Sequence, residues 1–195
     1  MRVLSGKLKG SKIVTNNNKI KGSESFITRP TSDRVKETLF NIVQHSFNID
    51  FTTVSFLDCF AGSGAIGLEA ISRGCSSVSF LEKNNPSCEC IKKNLANFRL
   101  NDNDKRNCYR VLNYDFFDKE LLIDNEFDVI FLDPPYEMVT DSQVFMTLKE
   151  LRVTKKSSLI IYESNKELVK VDRLEVLKSR KIGKTHLSFL KVLNS

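Results

Sequence analysis

At 195 residues the chain has the length of a single domain, enough to build one sizeable hydrophobic core. Its 41% apolar and 28% charged residues are those of a globular protein, which excludes disordered, collagen-like and coiled-coil classes. The formal charge of +6 is unevenly spread: the first 30 residues carry seven basic groups against Glu24 and the last 18 carry five against none, leaving an acidic body between basic ends.

Such ends suit a polyanion, since phosphate contacts supply most non-specific affinity for nucleic acid; a solubilising lysine surface uses the same residues. No apolar run approaches the roughly 18 residues of a membrane span. The N-terminus lacks the apolar stretch of a secretory signal, so a cytoplasmic location is expected. Five cysteines, an odd number in a chain too large to need staples, read as reduced thiols. Cys88 and Cys90 form no CxxC pair, and His45 and His186 stand far off in sequence, so no metal site is expected. A monomer is the expected state.

In chain order, Val3–Ser5 and Ser11–Thr15 are short β-prone stretches joined through Gly6 and Gly10, and residues 1–30 read as a small basic extension with a β-hairpin. The main domain follows over 31–195. Ser32 and Asp33 can cap a helix whose apolar positions Val35, Leu39, Ile42, Val43 and Phe47 keep the 3.6-residue period. Strands are then predicted at Thr53–Leu57, Ser77–Leu81, Cys108–Leu112, Phe127–Leu132 and Ser158–Tyr162. Helices are predicted at Ala65–Ser72, Pro86–Leu100 and Val144–Leu151. Continuous apolar runs such as Val129-Ile130-Phe131-Leu132 suit strands buried on both faces, and the alternation implies an α/β fold with a mostly parallel, Rossmann-like sheet. Arg173–Lys181 and Leu187–Leu193, broken at Gly183, complete it as a C-terminal antiparallel hairpin.

The segment Leu57-Asp58-Cys59-Phe60-Ala61-Gly62-Ser63-Gly64-Ala65-Ile66-Gly67 ends a strand and opens a helix. Gly62, Gly64 and Gly67 satisfy G-x-G-x-x-G, with Glu82 20 residues after Gly62. This spacing also fits a dinucleotide fold. Asp58 argues otherwise, because a carboxylate there would crowd a pyrophosphate, whereas it can meet a cationic amino group. S-adenosylmethionine carries such a group and no phosphate. Asp58 is therefore the candidate partner of its ammonium, Glu82 of its ribose hydroxyls and Asp115 of its adenine amine, with Phe60, Gly62, Ser63 and Gly64 along its path.

Asp133-Pro134-Pro135-Tyr136 follows the fourth strand, at the edge where open α/β sheets bind ligands. This run is similar to the [Asp/Asn]-Pro-Pro-[Tyr/Phe] motif of class I methyltransferases that modify an exocyclic or amide nitrogen. An amine conjugated with an aromatic base is a poor nucleophile, so a site must hold it in line with the methyl group and disfavour its planar form. Asp133 and the Pro134 carbonyl can each accept one amine hydrogen, and Tyr136 can stack on an extruded base. Arg29-Pro30-Thr31-Ser32-Asp33-Arg34, with the stretch Arg2 to Gly10, the glycine-loop core and the segment from Gly183 to Leu193, resembles the RsmD-type 16S rRNA (guanine-N2)-methyltransferases nearly end to end.

That resemblance implies methylation of the 2-amino group of a guanine in small-subunit 16S rRNA, within an assembled or assembling ribosomal particle. Arg2, Lys7, Lys9, Lys12, Arg29 and Arg34 are the candidate RNA contacts; Arg29, Thr31 and Arg34 could equally meet cofactor or a helix cap. Lys178, Arg180, Lys181 and Lys184 could contact phosphate or form a solvated edge. The competing readings are a DNA adenine-N6 methyltransferase, which normally needs an added recognition domain, and an inactive RNA-binding assembly factor, which would need none of Asp58, Glu82, Asp133 and Tyr136.

Overall fold

The computed structural model describes residues 1–15, 32–100, 108–118, 121, 123–135, 138–168 and 170–193. Helix α1 (Asp33–Asn41) starts at Ser32, whose hydroxyl accepts the Val35 N–H at 3.3 Å, as a cap should. The apolar period continues to Phe47, but the helix widens over Ile42–Ser46 into a π-helical turn, closed by the Phe47 N–H on the Ile42 carbonyl. A 3-10 turn at Phe51–Thr53, capped by Asp50, then occupies the start of the expected first strand. The strand β1 is Ser55–Cys59, displaced by two residues from the expected Thr53–Leu57, so that Asp58 lies inside it.

The remaining elements are α2 (Ala65–Ser72), β2 (Ser77–Leu81), α3 (Asn85–Asn97), β3 (Cys108–Leu112), β4 (Phe127–Leu132), α4 (Asp141–Glu150), β5 (Thr154–Ser164), β6 (Leu174–Ile182) and β7 (Thr185–Val192). Helix α4 begins three residues before its expected apolar start, because Thr140 and Gln143 close a capping box. The seven strands are ordered β3-β2-β1-β4-β5-β7-β6. The first five are mutually parallel, and β7 runs antiparallel between β5 and β6. This is the expected Rossmann-like sheet with its C-terminal hairpin, except that the last strand is interior and β6 forms the edge.

Two apolar layers cover the sheet. On one face Phe56, Val129, Phe131, Ile161 and Phe189 pack under α1, α2 and α3. On the other, Leu57, Ile130, Leu132, Ile160 and Tyr162 pack under α4. Burial from both sides explains why Val129–Leu132 of β4 reads as an unbroken apolar run. Among the described residues, no helix is long and apolar enough to cross a membrane, and the five cysteines are free thiols.

In the expected N-terminal hairpin Arg2 and Lys12 form an antiparallel bridge, and the Val3, Gly10 and Ile13 N–H groups donate to the Ser11, Val3 and Met1 carbonyls; the part of the extension from 16 to 31 lies outside the described residues. Residues 1–15 are not a detached arm. Val3 and Ile13 are buried in the α1–α3 layer. Main-chain polarity at the bend is satisfied by α2: the Leu4 and Ser5 N–H groups donate to the Glu69 carboxylate at 2.7 and 3.0 Å, and the Lys7 N–H donates to the Ser72 carbonyl. Gly6, at φ +79°, lies so close to the Ser72 carbonyl that a Cβ would collide with it, a position only glycine fills.

Glu69 is fully buried and also bonds the Arg73 guanidinium at 3.0 Å, while the buried Lys36 ammonium lies 3.9 Å from it. Lys36 in turn donates to the Arg2 carbonyl. Burial lowers the Lys36 pKa, and Glu69 and Asp33 act against that shift. The bracket is held a second time by Asn94 of α3, whose amide exchanges two hydrogen bonds with the Val14 main chain and donates to the Ser63 carbonyl.

Candidate active site

The connections leave β1 toward β2 on one side and β4 on the other, so the sheet has its switch point at β1 and β4, where open α/β sheets form a crevice at the carboxyl ends of the strands. The loop after β1 turns through two left-handed residues in quick succession, Phe60 at φ +59° and Gly62 at φ +55°. No described residue lies within 4 Å of the position a Gly62 Cβ would take, so among the described residues the loop backbone faces open space. Gly64, at φ +77°, instead packs against Ile91 and Phe80 as α2 begins.

Asp58 is 1% exposed. One oxygen accepts the Gly67 N–H in the first turn of α2 at 2.8 Å, and it has no ion pair among the described residues. Burial raises its pKa well above 3.8; the Gly67 N–H opposes the shift, and the Asp133 and Glu82 carboxylates add to it. Three carboxylates thus converge from β1, β2 and β4 on one crevice. Between 3.8 and the raised native value the folded chain holds a proton that the unfolded chain has lost, so stability falls as pH rises through that window. Asp58→Asn, which keeps an acceptor for Gly67, is expected to raise the melting temperature, by more at neutral pH than near pH 4. Melts across that range check it, and an equal or falling difference would show that Asp58 is ionised in the native state.

Glu82, just beyond β2, grips the loop. Its two oxygens accept the Gly62 N–H at 2.8 Å and the Asn84 N–H at 2.7 Å, which leaves lone pairs for further donors. Asp115 is half-buried, accepts the Phe117 N–H at 3.1 Å and pairs with Lys83 at 3.2 Å. Ser63 presents its carbonyl to Asn94 and its hydroxyl to the Met1 sulfur at 3.9 Å. Beyond β4, Asp133 is half-buried and Pro134 buried, while Pro135 is exposed and its carbonyl accepts the Met138 N–H at 2.9 Å. Asp133 follows directly on β4, the strand between β1 and β5, and its charge raises the pKa of both Asp58 and Tyr162. Tyr136 lies outside the described residues.

The expected cofactor residues Asp58, Phe60, Gly62, Ser63, Gly64, Glu82 and Asp115 are therefore gathered on one sheet edge with Asp133 and Pro134. The expected RNA contacts are dispersed. Lys7, Lys9, Lys12 and Arg34 are exposed, Arg2 pairs with Asp33 at 3.4 Å, and Arg29 lies outside the described residues, as does Thr31. The Lys7 end of the bracket sits at the carboxyl end of α2, one helix length of about 12 Å from the crevice.

Sequence reasoning passed over several neighbours. Phe60 packs against Phe116 and Phe117, with ring centroids 4.8 and 6.0 Å away, giving the crevice an apolar wall; the adjacent pair of aromatics after Asp115 was the available signal. Asn113 donates to the Glu82 and Lys83 carbonyls at 3.0 Å and ties β3 to β2. Tyr162 donates to Asp141 at 2.7 Å, beside a pocket lined by Val139, Asn165 and Lys166.

Comparison with known proteins agrees with this arrangement. The family model described as conserved hypothetical protein 95 matches residues 1–191. The ribosomal RNA small subunit methyltransferase D of Haemophilus influenzae is 34% identical over 187 residues, covering 94% of this chain and 89% of its own. The protein of the same name from Escherichia coli K12 is 29% identical, covering 86% and 76%. A solved structure of a candidate methyltransferase from Escherichia coli superposes with a TM-score of 0.78 at 26% identity, over 100% of this chain and 99% of that one. A match running from the N-terminal bracket through the glycine loop and Asp133-Pro134 to the final strand has one consequence: the chain belongs to the conserved hypothetical protein 95 family, the RsmD-type methyltransferases.

Proposed function

We propose that the protein transfers a methyl group from S-adenosylmethionine to the exocyclic 2-amino group of a guanine in small-subunit 16S rRNA, acting as a cytoplasmic monomer on an assembled or assembling particle. The observation that carries this reading is the convergence of Asp58, Glu82 and Asp133 around a glycine loop whose Gly62 backbone faces open space. A buried carboxylate flanked by two others favours a cationic ligand with hydroxyl donors and no phosphate, and S-adenosylmethionine fits that donor set. The names of the family relatives supply the rRNA.

When bound, the cofactor supplies a methyl group on a positively charged sulfur. Asp58 faces its ammonium, which favours the ionised carboxylate, so cofactor affinity rises with pH as Asp58 titrates. Glu82 takes ribose hydroxyls while keeping its grip on Gly62, Asp115 accepts the adenine amine, and Phe60, Ser63 and Gly64 shape the channel. Asp133 and the Pro134 carbonyl each accept a hydrogen from the guanine amine and hold its lone pair toward the methyl carbon. Transfer of that methyl group would release one amine proton, which the Asp133 carboxylate or water would accept. Tyr136 stacks on the extruded base. Arg2, Lys7, Lys9, Lys12, Arg29 and Arg34 add positive field for the RNA.

The test is methyl transfer from radiolabelled S-adenosylmethionine to free 16S rRNA, to small subunits lacking their own modification and to duplex DNA, followed by nucleoside analysis. N2-methylguanosine in the ribosomal substrates is the expected product. N6-methyladenine in DNA would replace this reading with a DNA methyltransferase, and no product despite tight cofactor binding would leave an RNA-binding assembly factor.

A further inference from the structure

The strand register carries the crevice sideways to a set of charges that the reading above does not use. Leu132, the last residue of β4, is level with Tyr162 of β5, which pairs with Ser188 of β7, which pairs with Ser179 of β6. One residue further along β5, the row through Glu163 and Leu187 ends on Arg180, and the next, through Ser164 and His186, ends on Lys181; Asp133 and Pro134 follow Leu132 out of β4 at that same end of the sheet. The β6–β7 pair then continues one more row, Ile182 with Thr185, and turns through Gly183 and Lys184. The hairpin tip therefore stands at the same sheet edge as Asp133 and projects beyond the end of β5. Three strand spacings of about 4.8 Å put Arg180 and Lys181 roughly 15 Å from Asp133.

The tip is basic and its charges are uncommitted. From Val176 to Val192 the sequence has five basic residues and no acid. Lys178 is tied to the Ser46 hydroxyl at 2.9 Å, and Lys191, at the far end of the hairpin, pairs with Glu175 at 3.0 Å. Arg180, Lys181 and Lys184 are exposed and form no ion pair among the described residues. The pairing alternation sends neighbouring side chains to opposite faces: Arg180 shares a face with Lys178 and α1, and Lys181 the opposite one with α4. Glu163, in the row of Arg180, is buried on β5 with β7 between them. The Lys7 end of the N-terminal bracket, by contrast, sits at the carboxyl end of α2, the opposite end of that helix from the glycine loop.

We propose that the β6–β7 hairpin tip, through Arg180, Lys181 and Lys184, is the docking surface that grips the phosphate backbone of the substrate RNA beside the target nucleotide. The proposal rests on the rRNA methyltransferase reading and adds where the strand is held. Cations straddling a strand edge at the carboxyl end of the sheet, the end that carries Asp133, fix the register of a polyanion against the crevice, whereas the N-terminal lysines, grouped at the opposite end of α2 from the glycine loop, raise affinity without setting register.

The test is the salt dependence of binding to a 16S rRNA fragment, with KM for that RNA, for the native protein, for Arg180→Gln/Lys181→Gln/Lys184→Gln, for Lys7→Gln/Lys9→Gln/Lys12→Gln and for the remote control Lys191→Gln. At about 0.7 of slope for each phosphate contact to a single strand, the hairpin variant should lose roughly 2 from the slope of log K against log salt. Its KM for RNA should rise on the order of tenfold, with S-adenosylmethionine affinity and melting temperature as in the native protein. Lys191→Gln should keep the native slope and KM. A hairpin variant with native slope and native KM overturns the proposal, as does a slope carried wholly by the Lys7, Lys9 and Lys12 variant. If the native protein yields no methylated guanosine while the hairpin variant still loses slope, the methyltransferase reading fails and the docking surface stands.

Discussion

Asp133→Ala is expected to lower methyl transfer by a factor on the order of 10²–10³, the loss typical of a group that stabilises charge mainly in the transition state. S-adenosylmethionine affinity should stay within a few-fold, because Asp133 reaches Asp58 only through space whereas Asp58 and Glu82 flank the glycine loop itself. Removing the carboxylate leaves the Pro134 carbonyl as one remaining acceptor, so the amine keeps its delocalised form for longer. Asp133→Asn should fall between the two, since an amide accepts one hydrogen without carrying charge. Single-turnover rates with saturating cofactor, beside calorimetric affinities, decide the matter. A tenfold or greater loss of cofactor affinity would assign Asp133 to the cofactor side of the crevice. The proton leaving the nitrogen needs no strong base, which is why a half-buried carboxylate suffices here.

The second large effect is on stability and lies away from the crevice. Glu69→Ala should cost about 3–5 kcal/mol, the usual penalty for leaving a buried charge without its partner, and lower the melting temperature on the order of 10 °C. The loss takes the acceptor from the Leu4 and Ser5 N–H groups and from the Arg73 guanidinium, and leaves the buried Lys36 ammonium without its buried counter-charge. Replacing both members, Lys36→Met with Glu69→Leu, should recover part of the loss, since an apolar pair has no charge to desolvate. Thermal melts of the three variants measure it; an unchanged midpoint for Glu69→Ala would show that water reaches the cluster.

Much of the fold was readable in advance because buried parallel strands leave little choice of residue. Phe127–Leu132, with its apolar run Val129–Leu132, and Ser77–Leu81 are strands with the expected boundaries, and Ala65–Ser72 is the helix that the glycine loop opens. The misplacements have local causes. Asp50 accepts the Thr52 N–H at 2.9 Å and winds a short turn where β1 was expected to begin, and Thr140 caps α4 before its first apolar residue. At the crevice, spacing brought Asp58, Glu82 and Asp133 to one edge, but residue type alone does not say how deeply a carboxylate is covered. Asp58 is sealed by α2 and shares its oxygen with Gly67, and Glu82 shapes the very loop it was expected only to face. The Glu69 cluster joins residues more than 60 positions apart, so no local pattern reports it; a single acid in the otherwise uncharged stretch Ala65-Ile66-Gly67-Leu68-Glu69-Ala70-Ile71-Ser72 was the only hint.

The placement of β7 between β5 and β6 bears on how the chain is made. Synthesis delivers β6 before the strand that joins it to the rest, so a nascent chain halted before Thr185 has β5 ending in an open edge and β6 with no neighbour. Until the last strand threads in, that edge is a template for wrong pairings with other chains. The sheet closes only once β7 is in place, and a fragment ending before Thr185 offers neither a finished sheet nor the β7 rows that hold Arg180 level with Glu163. The register that sets the hairpin against the carboxyl end of β5 is thus acquired in one step, the pairing of β7 with both its neighbours.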